Sequence, residues 1–426
     1  MRETPTEELE LDSFHSQTER VDELPPVDGG WGAWTYLAAA TGLETLVWGF
    51  VNSYGVFLEH YSKTYNNDSS LPLAGTIAMG EMYLLLPPLT FLLGRYPRYR
   101  AACMWAGLGL LTISFISAGL TRSVPGIIAT QGVLYGIGGT MLYCPTTAYM
   151  FEWWSRKRGL ASGIMFSGTG LGGLVMPIIS ASLLTRWGQR TTLVSIGIGY
   201  AILLGALIPF IRPRLPLTAS SHSSPPRLDT DFLRRPPFWM LWLGVLFQGL
   251  AAFMPGTYLP AYANALQLPS KVGTLSVALM NLARVPGQVV IGHISDKLGA
   301  RTLIIGMAFA SGLTVMTGWG LAKDAGGIIG FAIAFGGFAG SYTALFPRFI
   351  ATITHDDPHL PAILYALFSF ARGIGSIASG PLSTALLNSP SNIHLGAAGW
   401  GGLILWTGAG MLGSSVGAGY KSLKMD

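Results

Sequence analysis

Twelve apolar runs of bilayer-spanning length dominate this chain. Taking about 20 residues as the requirement for a helix to cross hydrocarbon, they fall at roughly 33–58, 72–93, 101–120, 124–151, 159–184 and 191–211, then 238–262, 272–294, 302–321, 326–353, 361–387 and 396–420. Half of the 426 residues are hydrophobic and only 11% are charged, against about 25% charge in a soluble globular chain. The expectation is an all-α integral membrane protein with twelve transmembrane helices in two pseudo-symmetric six-helix bundles. Residues 31–211 form the first bundle and 238–420 the second. Between them, 212–237 is rich in Pro, Ser and Arg, the composition of a linker that cannot bury a core. Residues 1–30 read as a disordered cytosolic tail with no apolar core ahead of a cleavage site, and 421–426 as a short cytosolic tail.

The Lys and Arg residues set the orientation, because cytoplasmic loops collect them. With both termini cytoplasmic, 18 fall on the inner side and six on the outer, while Arg284 and Arg372 lie within spans. This distribution makes the positive charge a report on topology and lipid contact instead of nucleic-acid binding. Cys103 and Cys144 both sit in apolar runs, so neither a disulfide framework nor a metal cluster is indicated. No metal, cofactor or enzyme chemistry is expected.

The stretch Glu152–Pro177, EWWSRKRGLASGIMFSGTGLGGLVMP, enters the fifth span. Trp153 and Trp154 suit a headgroup layer, and Arg156, Lys157 and Arg158 a cytoplasmic leaflet. Helical spacing puts Gly159, Gly163, Ser167 and Gly170 on one face and Gly168 and Gly172 on the other. Small residues on two faces predict a helix squeezed between two neighbours. The halves also repeat one another: GRYPRYR (94–100) recurs in place as GHISDKLGAR (292–301), and glycines with a proline mark both the fifth and the eleventh spans. Parallel six-helix halves with a site between them near the midplane are a transporter arrangement.

Three ordered motifs resemble the major facilitator superfamily, and within it the monocarboxylate-porter branch. Gly292 to Arg301 is similar to the G-x-x-x-D-[KR]-x-G-[RK]-[RK] loop, with Ala300 at one basic place. Asp28, Gly29, Gly30, Trp31 and Gly32 match the [DE]-G-[GS]-[WF]-[GA] signature. Trp153 to Gly168, which contains Arg156, Lys157, Arg158, Gly163 and Gly168, follows the branch's aromatic-pair and basic-triplet pattern. Residues 48–57 further resemble fungal members. The resemblance implies alternating access by two rocking bundles, with no ATP site. It also places Asn52 where lactate carriers have a lysine, Gln288 at their arginine and Arg284 at their aspartate, a departure that points to a bulkier metabolite. Asp296 and Arg301 then belong to a gating loop, or simply to a positive-inside turn.

Ionisable groups deep in a span cost about 2.5–3.5 kcal/mol each on insertion scales and mark functional sites. Arg372 shares a helical face with Ser369, Ser376, Ser379 and Ser383; it is either a binder for a substrate carboxylate or a structural partner of Glu44 or Glu81. Arg284 lines up with Asn281 and Gln288 beside Pro286, which is expected to break the helix and free a carbonyl; it binds substrate or pairs with an acid of the first two spans. Glu44 lines up with Trp48 and Asn52. It is a proton-coupling carboxylate, a buried neutral acid, or a partner for one arginine.

These features describe a secondary-active transporter of a small, carboxylate-bearing organic solute, with protons as the coupling ion and secondary-metabolite efflux as the leading direction. Uptake of a vitamin or monocarboxylate, or a non-transporting receptor on the same scaffold, are the alternatives. The plasma membrane is expected ahead of the vacuolar or other internal membranes.

Overall fold

The computed structural model describes residues 24–65, 68, 70–215, 230–354, 360–389 and 393–419. The tail before residue 24, most of the central linker and the final seven residues lie outside the described residues, so the readings made for them are not addressed by it. The described residues are helical throughout, with no strand among them.

The first half opens with α1 (Gly30–Thr64). It is followed by α2 (Pro72–Arg95), α3 (Pro97–Leu120) and α4 (Val124–Trp153). One helical run, Arg158–Leu207, changes direction at Gly188, whose φ of +69° is left-handed backbone that suits glycine. It therefore supplies two crossings, α5 (158–187) and α6 (189–207). Contacts confirm the reversal. Gly168 and Gly172 of α5 meet Thr41 and Thr45 of α1 in ascending order, whereas Tyr200 of α6 bonds Leu46 O and Leu207 lies at Gly42.

The second half contains α7 (Pro236–Ala265), α8 (Ser270–Ser295), α9 (Ala300–Trp319), α10 (Ala325–Ile353) and α11 (Leu360–Asn388). The last crossing, α12 (Gly401–Gly413), continues through a 3-10 turn to Ala418. Nine helices among the described residues are long and apolar enough to cross a membrane, one of them being the run that folds back at Gly188. Both described chain ends lie on one side, here called the terminal face, along with the loops at 96–99, 154–157 and 296–299.

Two irregularities have local causes. In α2 the α-helix stops at Leu84 and resumes at Leu86, because Pro87 and Pro88 lack the amides that the carbonyls one turn back require. In α10 a 3-10 stretch, Ala339–Leu345, separates two α-helical pieces. In α8, by contrast, the helix runs through Pro286 unbroken, which corrects the break expected there.

The packing repeats between halves. Within the first half α1 lies on α5, and within the second α7 lies on α11, where a Cβ at Gly249 would sit 2.7 Å from Arg372 O. Across the halves α5 meets α8, and α11 meets α2 through Gly373 against Tyr83 and Ile377 against Gly80. Close approach of this kind is how helices associate in lipid, where burying apolar surface gains nothing over the acyl chains. A Cβ at Gly172 would stand 2.1 Å from Thr45 O, and one at Gly163 2.3 Å from Gln288 O. Gly172→Val is expected to destabilise the first half by about 1–3 kcal/mol, the usual range for overpacking, seen as a lower melting temperature in detergent. Gly163→Val, at a seam between halves, is expected to lower it by less; an unaltered melting temperature for Gly172→Val would contradict this packing.

Candidate functional site

On the terminal face, two carboxylates from different parts of the chain hold the start of α5. Asp28 accepts from the amides of Ser155 (2.9 Å), Arg156 (2.9 Å) and Lys157 (3.0 Å), and its own amide donates to Trp153 O. Asp296, from the other half, accepts from Gly159 (2.7 Å) and Leu160 (2.9 Å). Five of the six amides from Ser155 to Leu160 are thus bound by carboxylate at the positive end of the helix. Burial alone would raise the Asp28 carboxyl, but the three amides outweigh it and hold the group below its ordinary value; at Asp296 burial prevails over its two amides and the value is raised.

Several expectations change here. Residues 24–30 belong to the tail expected to be disordered, yet Asp28 is bound by three amides. Trp153 and Trp154 are core residues, not headgroup anchors: Trp153 lies against Gly32, stacks on Tyr36 and donates to Arg212 O, while Trp154 packs edge-on to Trp34. Of the basic triplet, Arg156 and Lys157 are exposed and Arg158 donates to Trp154 O. Arg301 is exposed and makes no hydrogen bond or ion pair among the described residues, so in this conformation the contact between halves runs through Asp296.

Midway along the helices, side chains from both halves surround a small cavity. From α1 come Glu44, Trp48 and Asn52, three residues one turn apart that face one way because the offsets of four dictate it. The second half supplies Arg284, Phe253, Thr343, Ser369 and Arg372. Towards the terminal face the cavity is floored by aromatic rings. Tyr365 stacks on Phe166 (centroids 5.9 Å) and its hydroxyl meets that of Tyr143 at 2.5 Å, so α4, α5 and α11 close on one another there.

The charges in the cavity have few partners. Glu44 is fully buried and neither carboxylate oxygen is hydrogen-bonded among the described residues. Arg284 leaves its Nε without a partner, and so does Arg372, whose Nη1 donates to Gln248 Oε1 and whose guanidinium lies 5.1 Å from the Phe253 ring centre. None of the ion pairs among the described residues, Lys63–Glu59, Arg100–Glu152 and Arg234–Asp231, involves these three groups. The structural ion pair considered for Arg372 with Glu44 or Glu81 is therefore not made. Glu81 lies against Gly136 outside the cavity lining.

The other sequence candidates divide. Asn52 lines the cavity and donates to Thr169 O at 3.4 Å. Gln288 does not line it: it is buried, donating to Gly340 O (3.0 Å) and Thr343 Oγ1 (2.9 Å). Asn281 faces α5 and donates to Gly173 O, and Ser376 packs on Met79 S. Gln248, Phe253, Tyr83, Tyr143 and Tyr365 line or support the cavity without having been singled out. None belongs to a motif, and an aromatic in a span reads the same whether it packs or lines. No triad or metal constellation surrounds the cavity; what it offers is cations, a carboxylate, an amide and rings around a space.

The sequence profile described as Major Facilitator Superfamily matches residues 37–380. The chain belongs to the Major Facilitator Superfamily. Among curated relatives it is 25% identical to "MFS transporter asaE" of Aspergillus flavus, over 93% of this chain and 90% of that one. It is 26% identical to "Fujikurins efflux protein" of Gibberella fujikuroi, over 98% and 88% of the two chains. With "Aspyridones efflux protein apdF" of Emericella nidulans it shares 25% identity over 85% and 74%. Among solved structures it superposes on FucP, a transporter of the superfamily crystallised in the outward conformation, with a TM-score of 0.69 over 90% of this chain and 98% of FucP at 11% identity. The protein is thus a multi-pass membrane transporter of a superfamily whose members are generally not enzymes.

A superfamily member held at α5 by Asp28 should lose stability when that carboxylate is removed. Asp28→Ala is expected to cost about 0.5–2 kcal/mol, as helix N-cap losses do, measured as a lower melting temperature at neutral pH. Because its value is depressed in the folded state, Asp28 contributes above the unfolded value of 3.8 and ceases to contribute as pH falls through its lowered folded value. The deficit should accordingly shrink in that acid range; a deficit independent of pH would show that the ionised form is not what binds.

Proposed function

We propose that the protein exports a small, anionic, carboxylate-bearing secondary metabolite by alternating access, as a member of the monocarboxylate-porter-like branch. Both termini then face the cytoplasm and the host membrane is the plasma membrane. The observation that carries the anion is that Arg284 and Arg372 both line one cavity and neither is in an ion pair among the described residues. A guanidinium with free donors in a low-dielectric cavity binds a carboxylate strongly and, with two donors, in a fixed orientation. Asn52 supplies an amide, and the aromatic wall of Trp48, Tyr83, Phe253 and Phe346 accommodates an apolar body. Efflux as the direction is supported by relatives named for the export of fujikurins and aspyridones.

Glu44 supports coupling to protons. A buried carboxylate with no hydrogen bond, sharing a cavity with two arginines, can exchange a proton in one access state and compete with the substrate for a guanidinium in the other. Asp296 on the start of α5 supports a gate: rocking the halves apart on the terminal face has to break its two amide bonds.

Purified protein in proteoliposomes loaded with candidate carboxylates tests the reading. Arg372→Ala is expected to weaken apparent affinity by about 1.5–3 kcal/mol, roughly tenfold to a hundredfold; unchanged saturation kinetics would remove the anion site. In a second measurement, Glu44→Gln should leave exchange of substrate across the bilayer intact while flux ceases to respond to an imposed pH gradient. Persistence of that response would take the coupling role from Glu44. Deleting the gene should lower the extracellular level of the host metabolite, whereas a fall in uptake from the medium would reverse the direction.

A further inference from the structure

The two cavity arginines are supported from the same place, the 3-10 stretch of α10. At its start the Ala339 and Gly340 carbonyls each accept a side-chain amide from a neighbouring helix. Gln248 of α7 donates to Ala339 O at 3.1 Å, and Gln288 of α8 donates to Gly340 O at 3.0 Å and Thr343 Oγ1 at 2.9 Å. Both glutamines are fully buried.

Gln248 is bonded to Arg372, and Gln288 holds the stretch of α10 on which the Arg284 stem lies. Gln248 spends its amide nitrogen on α10 and its amide oxygen on Arg372 Nη1. The next residue, Gly249, lets α11 approach so closely that a Cβ would lie 2.7 Å from Arg372 O, so adjacent residues of α7 fix both the backbone and the side chain of Arg372. Gln288 stands one turn from Arg284, and the Arg284 stem lies on Gly340, where a Cβ would be 3.1 Å from Arg284 Cγ. The same α10 stretch puts Thr343 into the cavity wall.

We propose that Gln248 is a positioning residue for the solute: anchored on the Ala339 carbonyl, it aims the Arg372 guanidinium into the cavity, and Gln288 secures the α10 stretch against which Arg284 lies. A neutral amide suits this place because its nitrogen can hold a carbonyl while its oxygen accepts from Arg372 without neutralising it. A carboxylate there would pair with Arg372 and cancel the charge offered to an anion. A movement of α10 at Ala339–Leu345 would then move Thr343 and both arginine supports together, giving the halves a route by which access state alters affinity. This inference rests on the reading of Arg372 as the anion binder.

The test uses the purified full-length chain and salicylate, an aromatic carboxylate that stays ionised from neutral to mildly acid pH, read as a saturable rise in melting temperature. The other charged or titratable groups around the cavity are Arg284 of α8, Tyr342 of α10, Tyr365 of α11, Glu44 of α1, Tyr83 of α2 and Tyr143 of α4, so each variant is compared with the unmodified protein at the same pH. Gln248→Glu, which sets a carboxylate against Arg372, is expected to weaken the salicylate midpoint at least tenfold at neutral pH. Gln248→Met, which removes the acceptor without adding a charge, is expected to weaken it by less. A loss with Gln248→Met as large as that with Gln248→Glu would reduce Gln248 to a packing residue and overturn the proposal, as would full binding in both variants while Arg372→Ala has lost it. Binding that survives Arg372→Ala, or no saturable effect on the unmodified protein, would instead remove the anion site on which the inference rests.

Discussion

The close approach of α5 to two helices at once is the contact on which the rest of the molecule depends. On one face Gly168 and Gly172 admit α1, and on the other Gly159, Gly163 and Gly170 admit α8. In lipid such contacts gain from dispersion and weak polar interactions between backbones, because no hydrophobic term draws helices together. They are therefore short-ranged and strongly dependent on fit, and a seam of this kind is either closed or open. The face toward α1 lies within one half; the face toward α8 joins the halves. A single helix thus carries both an interface within its half and one between halves, and the pseudo-symmetric α11 does the same with α7 and α2.

Placing a site between such seams explains how ionisable groups persist at the midplane. Each costs about 2.5–3.5 kcal/mol to insert, and ordinary folding would pair them to recover that cost. Here Glu44 and the arginines share a cavity without an ion pair, and Arg372 is partnered by a neutral amide and an aromatic face. That arrangement leaves the positive charge of Arg372 uncompensated by a carboxylate among the described residues, with its Nε unpartnered. A neutral partner of this kind is not revealed by a count of charges along the chain.

How much could be read from the chain follows from which interactions repeat along it. Span length, the reversal after the fifth run and the two small-residue faces of α5 all obey helical periodicity, and so does the shared direction of Glu44, Trp48 and Asn52. The same offsets misled where a neighbour decided the outcome: Ser376 is one turn from Arg372 but lies on Met79, and Asn281 is just under a turn from Arg284 but faces Gly173. An offset of three or four leaves a rotation of 40–60°, enough to move a side chain from cavity to seam. Trp153 and Trp154 carry the composition of an interfacial pair, and only the facing Gly32, Tyr36 and Trp34 turn them inward. Gln248 gave no signal, since a single amide in an apolar run becomes meaningful only when both of its ends are seen to be used.

The repeat between halves is imperfect in a way that bears on the transport cycle. Asp296 stands four residues after Gly292 and binds the amides at the start of α5, but the corresponding loop has Arg98 four residues after Gly94, and Arg98 is exposed on Tyr99. A carboxylate at a helix N-terminus is stabilising and a guanidinium there is not, so the two seams are not equivalent on the terminal face. The α5–α8 seam has a charge-assisted contact, whereas α11 meets the first half through neutral ones: Tyr83 against Gly373, the Ser376 hydroxyl on Met79 S and the Tyr143–Tyr365 hydroxyl pair. The halves are thus held together on the terminal face by a carboxylate on backbone amides at one seam and by neutral contacts at the other. Because the other face of α5 packs on α1, the helix bound by Asp296 is also the one that lies directly against the helix carrying Glu44.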